Sequence, residues 1–288
     1  MVKYRIITCL LITLFITIFC LNNYAQSIQK LGKVSESHLS ELSGIIPYSF
    51  EKGYFWVHND SGDDSNIYLI DSLASFKLKV HIKGVDFIDV EDIGRFNHNG
   101  INYLLIADIG NNLRNREVLS LYIIQEPKID LNSSCDHFTS GVVQTISIKY
   151  KDKPRDAEAI FVDPVNNDVY LISKRDIQST VFKFLLKFDN NTIQELTPIL
   201  TLPFTFATSA DISLDGKYIL IKNLTNIYFW QRNPKKSIIE TLNKVPTILP
   251  YCIEPQGEAI CFDLNAKYFY TISERPLGLD AYLYKYQF

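Results

Sequence analysis

Methionine occurs once, tryptophan twice and histidine five times in this 288-residue chain. The scarcity of Met beside 17 Tyr and 18 Phe argues against a helical bundle, because rings and β-branched side chains suit pleated, half-buried surfaces. The histidines are scattered, which removes the clustered spacing of a zinc centre. No Ser-His-Asp arrangement or nucleophile elbow is present. There is no basic excess either: the formal net charge is −3, which argues against nucleic acid as a partner. Beyond residue 25 only Cys135, Cys252 and Cys261 remain, an odd number without metal-ligand spacing. No disulfide framework is implied, and at least one thiol is free.

What is present begins with an N-terminal segment unlike the rest. Lys3 and Arg5 precede an apolar run from Ile6 to Leu21, and Ala25 offers a small residue at a cleavage point. Residues 1–25 read as a secretory signal peptide, with residues 26–288 as the exported domain, periplasmic or extracellular. The alternative is an uncleaved membrane anchor, for which a run of 16 apolar positions is short. Removing two positive charges and no negative ones takes the net charge from −3 to −5. No other membrane contact is expected, and the oligomeric state is not readable.

The remaining chain carries an internal repeat. An acid followed by a small or apolar pair recurs at Glu41, Glu91, Glu158, Asp211 and Glu258, at intervals of 50, 67, 53 and 47 residues. That is the period of a propeller blade. After each acid an apolar strand leads to a polar turn, such as Glu51-Lys52-Gly53 or Asp215-Gly216-Lys217, and a second strand follows as a hairpin. Third and outer strands complete four repeats, but the last stops after three. An orphan strand from Ile28 to Val34 supplies the missing one. The expected fold is all-β, a five-bladed β-propeller closed by an N-terminal strand that completes the last blade, with the long second interval absorbed by an insertion around Asp130 to Ser140.

In such a ring the inner strands start, and the second strands end, at one mouth. The five acids are therefore candidate metal ligands: Glu41, Glu91, Glu158, Asp211 and Glu258. The returning strands add Asn59, Asp60, Asp108, Lys174, Asn223 and Glu274, with Arg116 nearby, as candidate ligand-binding residues. Like charges converging on a narrow channel repel unless they are protonated or bind a cation, and an oxygen-rich set suits calcium. The competing reading has these carboxylates accepting loop hydrogen bonds or pairing with Lys174, Arg175 and Arg275.

The set His58-Asn59-Asp60-Ser61-Gly62, Asp89-Val90-Glu91-Asp92-Ile93, Asp108-Ile109-Gly110-Asn111-Asn112, Arg116, Glu126-Pro127, Asp156-Ala157-Glu158-Ala159, Lys174-Arg175, Ala210-Asp211-Ile212-Ser213-Leu214-Asp215-Gly216 and Gly257-Glu258-Ala259-Ile260 resembles a family of exported bacterial propellers of undefined activity. The chain departs at Val90, where that family usually has Trp, and at Asn111, where a second acid is usual. More distantly it is similar to calcium-activated nucleotidases, the apyrases, in Glu158-Ala159-Ile160 and Lys174-Arg175 and in the opening Glu41-Leu42-Ser43-Gly44. That resemblance implies five blades and a central calcium site.

Two functional expectations follow. The mouth binds a small anionic molecule, with calcium, as a non-catalytic scaffold or receptor. Alternatively, the chain is a calcium-dependent hydrolase of a phosphate ester, phosphoanhydride or other ester, with Glu158 or Glu258 activating water and Arg175 and Arg275 stabilising developing charge.

Overall fold

A computed structural model describes residues 28–188 and 192–288. The proposed leader, residues 1–25, lies outside the described residues. Five antiparallel-based sheets form a ring. The first blade contains β2 (Leu42–Pro47), β3 (Tyr54–Asn59), β4 (Asn66–Asp71) and β5 (Phe76–Lys83), and the second β6 (Val90–His98), β7 (Ile101–Asp108), β8 (Leu119–Gln125) and β10 (Gln144–Tyr150). The third has β11 (Ala157–Val162), β12 (Asp168–Ser173), β13 (Thr180–Leu185) and β15 (Pro198–Thr201). The fourth has β16 (Ala207–Ile212), β17 (Tyr218–Asn223), β18 (Ile227–Gln231) and β19 (Thr247–Leu249), with a one-turn helix α1 (Ile238–Leu242) in its last connection. The fifth has β20 (Gly257–Phe262), β21 (Tyr268–Ser273) and β22 (Tyr282–Gln287), and its outer strand is β1 (Ile28–Lys33).

The expected closure is observed: β1 pairs antiparallel with β22, Ile28 opposite Tyr286 and Lys33 opposite Tyr282. A side chain at Gly32 would place its Cβ 1.8 Å from the Leu73 carbonyl of the first blade, so the seam requires glycine where the first and last blades meet. The inner strands β2, β6, β11, β16 and β20 neighbour one another in cyclic order. Buried on both faces, β2, β11, β16 and β20 have no exposed position, whereas β5, far from the ring's centre, alternates exposed and buried residues as a strand with one wet face should.

The 130–140 insertion does more than lengthen a loop. It contributes β9 (His137–Gly141), which adds in parallel to β5 as a fifth strand of the first blade. Similarly β14 (Gln194–Leu196) crosses to pair in parallel with β10 of the second blade. Each crossover covers an outer edge and ties consecutive blades. Among the described residues, no helix is long and apolar enough to cross a membrane.

Candidate functional site

The register of each inner hairpin fixes one mouth. Leu42, Val90, Ala157, Ala207 and Gly257 face Asn59, Asp108, Ser173, Asn223 and Ser273, so inner strands begin where second strands end. At that point every inner strand slips by one residue, between Leu42 and Gly44, Val90 and Asp92, Ala157 and Ala159, Ala207 and Ser209, and Gly257 and Ala259. A bulge re-aims the residue it inserts. The inserted residues are Ser43, Glu91, Glu158, Thr208 and Glu258, all buried.

Three expected acids therefore share one level, Glu91, Glu158 and Glu258, while the first and fourth blades present hydroxyls there. Glu41 stands two residues before Ser43, in register with Asp89 and Asp156, and is exposed. Asp211 lies three residues past Thr208, deeper in the channel. It accepts hydrogen bonds from the amides of Ile212 (2.8 Å) and Phe262 (2.7 Å), and burial pushes its pKa up to about 6. Asp92 plays a similar part, accepting from the amides of Ile93 and Ile160, both at 2.9 Å, and from the Ser209 hydroxyl at 3.2 Å. Both carboxylates satisfy channel-facing backbone donors of neighbouring blades.

At the mouth, carboxylate oxygens of Asp60, Asp89 and Glu91 lie within 4.8 Å of one another, as do those of Glu91, Asp156 and Glu158. Burial, followed by the neighbouring Asp89 carboxyl, pushes Asp60 up to about 8, and burial raises Asp89 as well. Burial and a hydrogen bond with Glu258 likewise push Glu274 up to about 9. Burial favours neutral Glu258, but the Lys174 ammonium outweighs it and holds Glu258 below the usual range. Lys174 pairs with Glu158 and, at 2.9 Å, with Glu258. Burial raises Glu91 and Glu158 well above ordinary values, and in Glu158 Lys174 opposes the shift.

The two triads differ in how their charge is met. Asp156 accepts from Arg175 Nε at 2.6 Å and from the Asn111 amide at 2.9 Å, and Glu158 has Lys174. Among the described residues, no ammonium or guanidinium group forms an ion pair with Asp60, Asp89 or Glu91; Lys174 and Arg116 act on them only at longer range. Glu91 is 1% exposed and its Oε1 has no hydrogen-bond partner; neither has Asp60 Oδ1. A Cβ on Gly110 would stand 2.3 Å from Glu91 Oε1 and from Asp89 Cγ, which places the unpartnered oxygen beside the Asp89 carboxylate. Two buried oxygens without donors, Glu91 Oε1 and Asp60 Oδ1, beside the Asp89 carboxylate fit a hard cation that prefers oxygen ligands.

The predicted arginines are committed elsewhere. Arg116 donates to the Gly110 carbonyl and to Asp108, both at 2.7 Å. Arg175 also donates to the Asn112 side chain, and Arg275 to the Glu36 carbonyl at 3.1 Å. Asp108, Asn59 and Asn223 brace loops: Asp108 accepts from the amides of Ile88 and Asp89 (3.1 Å each), Asn59 Nδ2 donates to the His38 carbonyl (2.7 Å), and Asn223 Oδ1 accepts from the Asn226 amide (2.8 Å). Asp89 and Asp156 were not among the expected site residues, although the repeated Asp-x-Glu of 89–91 and 156–158 is visible in the chain.

Below the mouth, Lys222 is fully buried. It donates to the Gly257 carbonyl, lies 4.6 Å from the Tyr251 ring centroid, and is brought down to about 8 by burial. On the opposite face a cleft of about 520 Å³, lined by Phe50, Asn102, Glu126, Lys128 and Phe138, holds one buried carboxylate and no comparable cluster.

No family model matches this chain, and no curated protein matches it. Solved structures do. A chain of the nidogen/laminin complex aligns at 11% identity with a TM-score of 0.46, covering 82% of this chain and 73% of its own. An auxiliary nutrient binding protein from Bacteroides thetaiotaomicron aligns at 14% identity and a TM-score of 0.44, over 87% of this chain and 61% of its own. A candidate phosphatase from the same organism aligns at 14% identity and a TM-score of 0.49, over 86% and 62%. This chain spans less than two thirds of the length of the latter two.

Proposed function

We propose that the chain is an exported propeller whose mouth binds a divalent cation, calcium by the chemistry of its donors, and through that cation a small anionic ligand. Asp60, Asp89 and Glu91 hold the ion. The observation that carries this reading is the buried, unpartnered Glu91 Oε1 set beside the Asp89 carboxylate, in a triad with which no described ammonium or guanidinium group forms a direct ion pair.

Binding is favoured over hydrolysis of an ester or phosphoanhydride because the groups such a reaction needs are occupied. Glu158 and Glu258 are both paired with Lys174, and Arg175 and Arg275 donate to the protein itself. An anion therefore meets an acidic funnel whose own arginines do not reach out to it, and a bound cation supplies the attraction.

Thermal melting of the intact chain with calcium chloride against EDTA tests the site. Calcium at one hundred times its Kd adds about 2.7 kcal/mol to a protein that binds it only when folded. At about 2–4 °C per kcal/mol for a domain of this size, the melt should rise by roughly 5–11 °C. Asp60→Asn and Glu91→Gln should each remove the rise. A melt unchanged by calcium in the unmutated chain sinks the proposal.

A further inference from the structure

We propose that the cleft on the face opposite the mouth binds a small zwitterion with an apolar side group, an apolar amino acid or short peptide, its ammonium at Glu126, its carboxylate at Lys128 and its apolar group against Phe50 and Phe138. This site is independent of the cation at the mouth. The cleft has a volume of about 520 Å³, within the range that small organic ligands occupy. One of its walls is β9, the strand supplied by the 130–140 insertion, so the cleft exists because the second repeat departs from the blade pattern. Insertions on a repeated scaffold are where binding surfaces are commonly built.

The polar groups of the cleft carry opposite charges that the protein leaves without direct partners. Glu126 is 3% exposed; its Oε1 accepts from the Ser49 amide (2.9 Å) and from Trp56 Nε1 (3.0 Å), while Oε2 has no hydrogen-bond partner. Burial raises its pKa, and the Ser49 and Trp56 donors and the more distant Arg95 charge only oppose that shift. A buried carboxylate with one free oxygen gains most from a charged donor, and an ammonium is that donor. Lys128 lies on the exposed rim of the same cleft, where among the described residues its ammonium pairs with no carboxylate and stands 5.8 Å from the Phe50 ring centroid. A ligand carrying both charges meets both groups, whereas a simple cation would face Lys128 and a simple anion would face Glu126.

The apolar walls supply the rest. Phe50, Ile101 and Phe138 are 43%, 40% and 46% exposed, and all three line this cleft. Apolar surface gathered around a few oriented charged groups is the make-up of a small-molecule site, and the rings select a ligand with an apolar group of its own.

Titration calorimetry on the intact chain in EDTA, with L-phenylalanine and with the dipeptide phenylalanyl-phenylalanine, tests the site. At least one of the two should bind, and the tighter one tells a free amino acid from a peptide. N-acetylation of that ligand removes its ammonium and should weaken binding by about tenfold or more. Glu126→Gln, which keeps an acceptor for Ser49 and Trp56, should do the same. Lys128→Met, at the wet rim, should cost about two- to fivefold. Phe138→Ala, which truncates an exposed ring, should weaken binding without moving the melting temperature. No binding of either ligand, or a Kd that both N-acetylation and Phe138→Ala leave unchanged, overturns the proposal.

Discussion

Lys174 is the residue on which the charge balance of Glu158 and Glu258 depends, and replacing it with Met gives the sharpest test of the charge argument. Lys174 is 7% exposed, and its ammonium pairs with Glu158 and Glu258, themselves 2% and 3% exposed. Methionine keeps most of the aliphatic stem and removes the charge. Two buried carboxylates then lack their counter-ion, and leaving a buried pair uncompensated costs about 3–5 kcal/mol. At about 2–4 °C per kcal/mol the melt in EDTA at pH 7 should fall by roughly 6–20 °C. The sign with pH is fixed by Glu158, whose folded pKa is already raised, chiefly by burial. The folded state holds protons that the unfolded chain has released above its ordinary value, so stability falls as pH rises from about 4.5 through the raised pKa. Lys174→Met should therefore lie closest to the unmutated protein near pH 5 and diverge toward pH 8. Calcium should raise the variant's melt more than that of the unmutated chain, because Lys174 also acts on Asp60 and Glu91 and its loss leaves the ion's carboxylates more negative. Urea unfolding with and without calcium, at several pH values, measures all three effects. A loss below about 1 kcal/mol in EDTA at pH 7, with equal calcium effects in both proteins, refutes the claim that Glu158 and Glu258 are buried, mutually repelling and neutralised by this one ammonium.

Two further outcomes are expected. Lys222, fully buried and lowered from 10.5 to about 8, binds fewer protons folded than unfolded between those values, so it contributes about 3 kcal/mol of stability gained as pH rises from 8 to 10.5; Lys222→Met should lack that rise, and parallel stability curves over pH 7–10 would contradict it. Gly110→Ala places a methyl 2.3 Å from Glu91 Oε1 and Asp89 Cγ, so calcium affinity should drop at least about tenfold, or ~1.4 kcal/mol, by calorimetry; an unchanged Kd would show that the Asp89 and Glu91 carboxylates do not bind calcium.

The blade count was legible because a blade repeats its strand-turn-strand pattern at a nearly constant period, and because the truncated last repeat and the orphan N-terminal strand each need the other. What one chain does not display is register. A bulge has no letter of its own, so counting acids places Glu41 and Asp211 beside Glu91, Glu158 and Glu258, whereas the hydrogen-bond ladder puts Ser43 and Thr208 there. Asp211 is acidic for another reason: it and Asp92 accept amides that the inner strands of neighbouring blades turn toward the channel. The commitment of Arg116, Arg175 and Arg275 was equally hidden, since their acceptors are loop carbonyls and side chains that meet only after the ring closes. The corrected register alters the electrostatics of the mouth. With hydroxyls on the first and fourth blades, the inserted carboxylates belong to the second, third and fifth. Asp60 and Asp89 then supply acid on the side where Ser43 does not, next to Glu91, while Lys174 answers the acids of the third and fifth blades. The ring is therefore unevenly neutralised, and its least compensated point is Asp60, Asp89 and Glu91, where a cation gains most by binding.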